Sequence, residues 1–214
     1  MIKIEKDLFY LAGVIAGDGH LNKGVKWKGK DESKDYGIII TSKDEEFLKV
    51  VLNLIKTKIN TKTEIKPGKR SNYISIRNKE LHNIMNKWFE IPTGKKSDIL
   101  FIPKKIKNSE YLMHFLAGLF DTDGGLRRGS IGFCSASKQL MEDVSVCLSK
   151  TDIENSKDSW INKKYNKEYY GLRIKKSKIQ RFIETIPLKN YNKLIKITNR
   201  CGSAGAVKRA RDLK

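Results

Sequence analysis

Two nine-residue stretches of this chain are close copies of one another. Leu11-Ala12-Gly13-Val14-Ile15-Ala16-Gly17-Asp18-Gly19 is echoed by Leu116-Ala117-Gly118-Leu119-Phe120-Asp121-Thr122-Asp123-Gly124, and the two Asp-Gly endings lie 105 residues apart. That interval is about the size of a small domain. Self-similarity at this distance constrains the fold strongly, because each copy can supply half of a shared site.

Each stretch reads as a helix. Gly13 and Gly17 each give up roughly 1 kcal/mol of helix propensity, so packing must recover it. They stand four residues apart, on one face, flanked by Ala12 and Ala16. Such a face lets a second helix backbone approach closely. Ala117, Gly118 and Thr122 offer the same face in the second copy. A carboxylate at a helix C-terminus meets the negative end of the dipole, at a cost of roughly a few tenths of a kcal/mol or more. Packing the helices together brings Asp18 and Asp123 into mutual repulsion as well. Two disfavoured acids converging on one spot make sense around a divalent cation. The plain alternative is a pair of core helices with small residues at their crossing. Repetition of both the small face and the Asp-Gly ending favours the functional reading.

Both copies resemble the motif of the LAGLIDADG homing endonucleases, and their spacing is similar to that of single-chain members with two motifs. The resemblance implies an α+β fold of two pseudo-symmetric αββαββα repeats, with the motif helices packed at the centre and a β-saddle for DNA. It implies a monomer with an internal pseudo-two-fold axis that hydrolyses both strands of a long double-stranded DNA site. The implied cofactor is Mg²⁺, as two or three divalent ions near Asp18 and Asp123, with Gly17 and Thr122 beside them in the metal site. Asp121 lies two residues before Asp123, points away from it on a helix, and is left out of that site. Family members often place a lysine near each centre, after the strand that follows the motif helix. Lys43, in Thr41-Ser42-Lys43-Asp44, takes that place as a third catalytic residue. Ala136 stands opposite it in the second repeat, which predicts unequal cutting of the two strands.

Other readings remain. An RNA-binding intron maturase on the same fold would bind intron RNA, and a DNA-binding regulator would carry degenerate motifs. Both aspartates are intact, which favours the enzyme. The chain opens on Met1 and lacks a terminal His-Asn, so a free-standing or intron-encoded protein is expected rather than an intein.

A formal charge of +20 at pH 7 and a pI near 9.8 point to an extended polyanion, of which nucleic acid is the commonest. Cys134, Cys147 and Cys201 show no CxxC spacing, which suits a reducing compartment. No transmembrane run, signal peptide, phosphate-binding loop or dinucleotide-binding glycine pattern is present. The expected setting is intracellular, in the cytoplasm of a prokaryote or in an organelle, with no membrane partner.

Hydrophobic periodicity divides the chain into a first repeat (1–91), a basic linker (92–108), a second repeat (109–186) and a basic tail (187–214) with a final helix bearing Lys208, Arg209 and Arg211. In repeat one, the alternating segment bearing Lys26, Lys28 and Lys30 precedes a strand at 36–41, a helix at 44–58, strands at 61–66 and 72–77, and a helix at 79–89. In repeat two, a strand at 130–134 precedes a helix at 138–149, strands at 153–161 and 169–175, and a helix at 178–185. Alternation turns Ile74 and Ile76 inward and Ser75 and Arg77 outward, and likewise Leu172 and Ile174 against Arg173 and Lys175. The candidate DNA contacts are Lys26, Lys28, Lys30, Ser75, Arg77, Arg127, Arg128, Arg173 and Lys175, since β-ribbons fit the major groove.

Overall fold

A computed structural model describes residues 1–22, 36–127, 129–163 and 166–201. Lys26, Lys28, Lys30, Arg128, Lys208, Arg209 and Arg211 lie outside the described residues. The first repeat runs α1 (Lys6–Asp18), β1 (Gly19–Leu21), β2 (Gly37–Ser42), α2 (Glu45–Lys58), β3 (Ile65–Lys66), β4 (Asn72–Arg77) and α3 (Lys79–Asn83), which continues as a π turn over Ile84–Trp88. After the short linker helix α4 (Lys104–Lys107), the second runs α5 (Leu112–Asp123), β5 (Gly124–Arg127), β6 (Ser130–Ser135), α6 (Lys138–Ser149), β7 (Asn155–Asn162), β8 (Lys167–Ile174) and α7 (Ile179–Thr185). A last helix, α8, spans Tyr191–Cys201.

Each repeat carries one four-stranded antiparallel sheet, ordered β1-β2-β4-β3 and β5-β6-β8-β7. The alternation reading holds in both: Ile74, Ile76, Leu172 and Ile174 are fully buried against the helices, while Ser75 and Arg173 are partly open and Arg77 is exposed. Asp44, Asn78 and Ser137 cap α2, α3 and α6 through their side chains, each accepting a backbone N–H two or three residues into the helix.

The two motif helices, α1 and α5, pack face to face at the centre. A Cβ on Gly13 would lie 2.1 Å from the Phe115 carbonyl oxygen, and one on Gly118 would lie 2.1 Å from that of Tyr10. Only glycine lets the backbones meet there, and the two contacts are related by the pseudo-two-fold. Leu8, Leu11, Val14, Ile15, Leu116, Leu119 and Phe120 join both halves into one continuous core.

The chain differs from expectation in two respects. Strands β1 and β5 begin directly at the glycine that ends each motif helix, at Gly19 and Gly124. Three and four residues are too few to show a period of two. The second difference is α8, in a stretch from which sequence periodicity predicted nothing definite. It packs across both repeats: Asn192 Nδ2 donates to Asp44 Oδ1 at 3.0 Å, while Lys193 reaches the end of α5.

Candidate active site

The crossing of α1 and α5 delivers their C-termini to one place. Asp18 and Asp123 end the two helices, and Gly17 has no Cβ because one would lie 2.0 Å from Thr122 Oγ1 and 3.2 Å from Asp123 Oδ2. Neither carboxylate accepts a hydrogen bond from a described residue. Desolvation raises both above the ordinary range, Asp123 to about 6, with the negative charge of Asp18 as its second cause. Asp18 is the more exposed of the two, with one side open to solvent.

Two lysines face these acids. Lys96 Nζ donates to the carbonyls of Ala16 at 2.5 Å and Gly17 at 2.8 Å. Lys193 Nζ donates to those of Phe120 at 2.9 Å, Thr122 at 2.7 Å and Gly124 at 2.6 Å. Each ammonium thus satisfies carbonyls at the end of a motif helix and offsets the negative dipole end where the aspartate stands. Burial lowers the pKa of both lysines, and Asp18 and Asp123 pull against that shift in each case. The carbonyls of Gly17 and Thr122, assigned to metal on resemblance, each retain a second lone pair.

Lys96 and Lys193 were not singled out from the sequence. Lys96 stands in a basic linker among Lys95, Lys104 and Lys105, and Lys193 in a basic tail, so neither charge is distinctive locally. The available signal was the repeat itself, because each lysine follows the last helix of its own repeat. Lys43, by contrast, is exposed in the turn before α2. The cations that act on Asp18 and Asp123 are Lys96 and Lys193. The asymmetry inferred from Lys43 opposite Ala136 therefore loses its basis, since each centre has a lysine.

Asp121 is buried, only 2% exposed, and turned away from Asp123. Its Oδ2 accepts from the Tyr10 hydroxyl at 2.6 Å and from the backbone N–H of Lys189 at 2.7 Å and Asn190 at 3.0 Å. Burial pushes it up to about 6 against the pull of these donors and of Lys193.

The sheet faces bear the other candidates. Arg127 donates to Asp158 at 3.0 Å and lies 4.5 Å over the Trp160 ring, which stacks on Tyr169. Gly171 leaves room for that pair, since a Cβ there would meet Asp158 Oδ1 and Arg127 Nη2 within 2.3 Å. Lys175 lies just past β8 and pairs with Glu154, which draws it toward the strand end. Ser75 and Arg77 line an open groove with Thr61, Thr63, Glu64 and Lys66. Among the described residues no group of three His, Cys, Asp or Glu forms a closed metal cage, and no helix is long and apolar enough to cross a membrane.

Residues 110–187 match the LAGLIDADG-like domain, and the first repeat reproduces the same elements around the same motif. The second repeat carries a LAGLIDADG-like domain. Its fold matches that of the homing endonuclease I-DmoI in complex with DNA and Ca, with a TM-score of 0.66 and 22% identity over 85% of this chain and 88% of that one. I-WcaI bound to its DNA recognition sequence matches with a TM-score of 0.55 at 15% identity, covering 94% of this chain and 88% of that one. Full-length DUF199/WhiA from Thermatoga maritima matches with a TM-score of 0.54 at 15% identity, over 94% of this chain and 62% of that one. Among curated proteins, the replication factor C small subunit of Methanocaldococcus jannaschii is 32% identical over 86% of this chain. Translation initiation factor IF-2 of the same organism is 33% identical over 79%. The chain spans only 10% and 14% of those two relatives, and neither name denotes a nuclease. A shared fold does not settle chemistry, which resides in the site.

Proposed function

We infer that the protein is a DNA endonuclease that cleaves both strands of a long double-stranded target, one strand at each centre. The observation that carries this reading is the pair of carboxylates, Asp18 and Asp123, that accept no hydrogen bond from a described residue and face the buried Lys96 and the half-buried Lys193 at the ends of the motif helices. A purely structural role gives no reason to raise two facing carboxylates by partial desolvation with no hydrogen-bond donor to offset it. Raised carboxylates with no donor, backed by carbonyls with free lone pairs, fit hard divalent cations that take their remaining ligands from phosphate and water.

Asp18 and Asp123 would hold Mg²⁺, with the Gly17 and Thr122 carbonyls adjacent. Bound there, it would activate water and stabilise charge on the scissile phosphate. The chain's own groups act around that chemistry. Lys96 and Lys193 place positive charge where negative charge develops on the phosphate oxygens. The α1–α5 crossing fixes the spacing of the two centres, and the two sheets lay a basic surface along the duplex. Ser75, Arg77 and Arg173 are offered outward to the groove and backbone, while Arg127 is presented on a support of Asp158 and Trp160. I-DmoI with DNA and Ca or Mn, and I-WcaI with its recognition sequence, support a DNA substrate and a divalent ion. The intron-RNA reading has no observation of its own.

The test is incubation with Mg²⁺ and a supercoiled plasmid library carrying randomised inserts. Linearisation at one recovered sequence, lost in Asp18→Asn, is the expected result. Linearisation that survives this substitution would overturn the assignment.

A further inference from the structure

The two centres are not built alike. Lys96 arrives on the linker, which is anchored to the second repeat: Asp143 accepts the Ile102 N–H at 2.8 Å, and Ser137 Oγ donates to the Leu100 carbonyl at 2.5 Å. Lys193 arrives on α8, whose start is held by Asp121. That one carboxylate oxygen collects the N–H groups of Lys189 and Asn190 and the hydroxyl of Tyr10 from α1. Asn190 Nδ2 returns a bond to the Asp121 carbonyl at 3.4 Å, and its Oδ1 accepts the Lys193 N–H at 3.0 Å, capping the first turn of α8. A continuous chain of bonds therefore runs from Asp121 through Asn190 to Lys193. The first repeat has no counterpart, because Ala16 occupies the matching motif position.

We propose that Asp121 is a positioning residue, tethering α8 to the second motif helix so that Lys193 is held at the end of that helix, between Asp18 and Asp123. A carboxylate accepting two backbone amides is a strong tether, since charge-assisted bonds are about twice as strong as neutral ones. The catalytic consequence rests on the endonuclease reading, whereas the structural one does not. The strand whose cleavage Lys193 serves depends on the tether, and the strand served by Lys96 does not.

Two measurements test this on the whole chain. The first is hydrogen exchange in wild type, Asp121→Asn and the control Tyr10→Phe, which leaves both amide bonds in place. Asp121→Asn is expected to raise exchange about tenfold or more over 189–197 while α1 and α5 stay protected, and Tyr10→Phe to leave that segment near wild type. The second is strand-resolved nicking of a plasmid carrying the sequence selected above, with Lys193→Met marking the strand that Lys193 serves. Asp121→Asn should slow that strand on the order of 10²-fold, the scale set by about 1 Å of misplacement, and alter the other less than about threefold. If Asp121→Asn does not fold, Asn190→Ala cuts the tether from its other end and should give the same selective loss. Unchanged exchange over 189–197, or equal slowing of both strands, would overturn the proposal. A chain that cleaves no DNA would sink the endonuclease reading, and exchange alone would then decide the tether.

Discussion

Gly13 and Gly118 are reciprocal partners in the α1–α5 crossing: a methyl group on either would sit 2.1 Å from a backbone carbonyl oxygen of the opposite helix. No side-chain rotation relieves a contact with backbone, so the helices must separate to admit it. Gly13→Ala and Gly118→Ala are each expected to cost about 3 kcal/mol or more. For a chain of this size that lowers Tm by about 6 °C or more. Gly125→Ala is the control, since nothing lies within 4 Å of a Cβ there. Its stability should stay within about 0.5 kcal/mol of wild type. Thermal unfolding of the three variants decides whether the crossing is as close as described.

Asp18→Asn and Asp123→Asn are each expected to abolish double-strand cleavage while leaving DNA affinity largely intact. On the proposed reading, phosphate and base contacts from the sheets carry most of the binding, and the aspartates contribute through bound metal instead. Gel-shift affinity measured beside plasmid linearisation separates the two properties. A variant that still linearises the plasmid in a metal-dependent way would remove that aspartate from the mechanism.

Much of this architecture was legible from the repeat. The motif helices, α2, α6, β4 and β8 follow from hydrophobic period and from caps such as Asp44 and Ser137, because these segments bury one face against one core. The converging aspartates followed from the small faces. The cations did not, because Lys96 and Lys193 reach the centres by tertiary packing of the linker and of α8, which no local period encodes. Lys43 matches the family's lysine only by position along the chain. It is exposed in the turn before α2, whereas the lysines that meet the helix ends come after the last helix of each repeat.

Metal-free protein should be more stable near pH 5 than near pH 7.5. Folding raises Asp121 and Asp123 to about 6 from an ordinary 3.8, so the folded state binds these protons more tightly than the unfolded one. Their contribution is complete below pH 4 and is lost as pH rises through about 6. Asp123→Asn removes one such group, and should raise stability at pH 7.5 by about 1–3 kcal/mol while flattening the pH profile. Mg²⁺ should raise the wild-type Tm at pH 7.5, and by less in Asp123→Asn. A wild-type Tm that climbs steadily from pH 5 to 7.5 without added metal would contradict the desolvation of this site.

The last prediction separates the lysines. Lys96 and Lys193 each bond the carbonyls at the end of one motif helix and act electrostatically on both aspartates, so each is placed to stabilise charge at a scissile phosphate. Losing one such positioned donor costs roughly 10²–10³-fold in rate. Lys96→Met should therefore slow one strand on that scale and Lys193→Met the other, with the double variant slow on both. Lys43→Met should change neither strand by more than about twofold, because an exposed turn residue contributes little to a desolvated centre. Methionine keeps the length of the aliphatic stem, so packing is retained and only the ammonium is lost. Strand-specific end-labelling of one target duplex reads all four proteins. A large, strand-selective loss in Lys43→Met with neither strand slowed in Lys96→Met would return the catalytic role to Lys43.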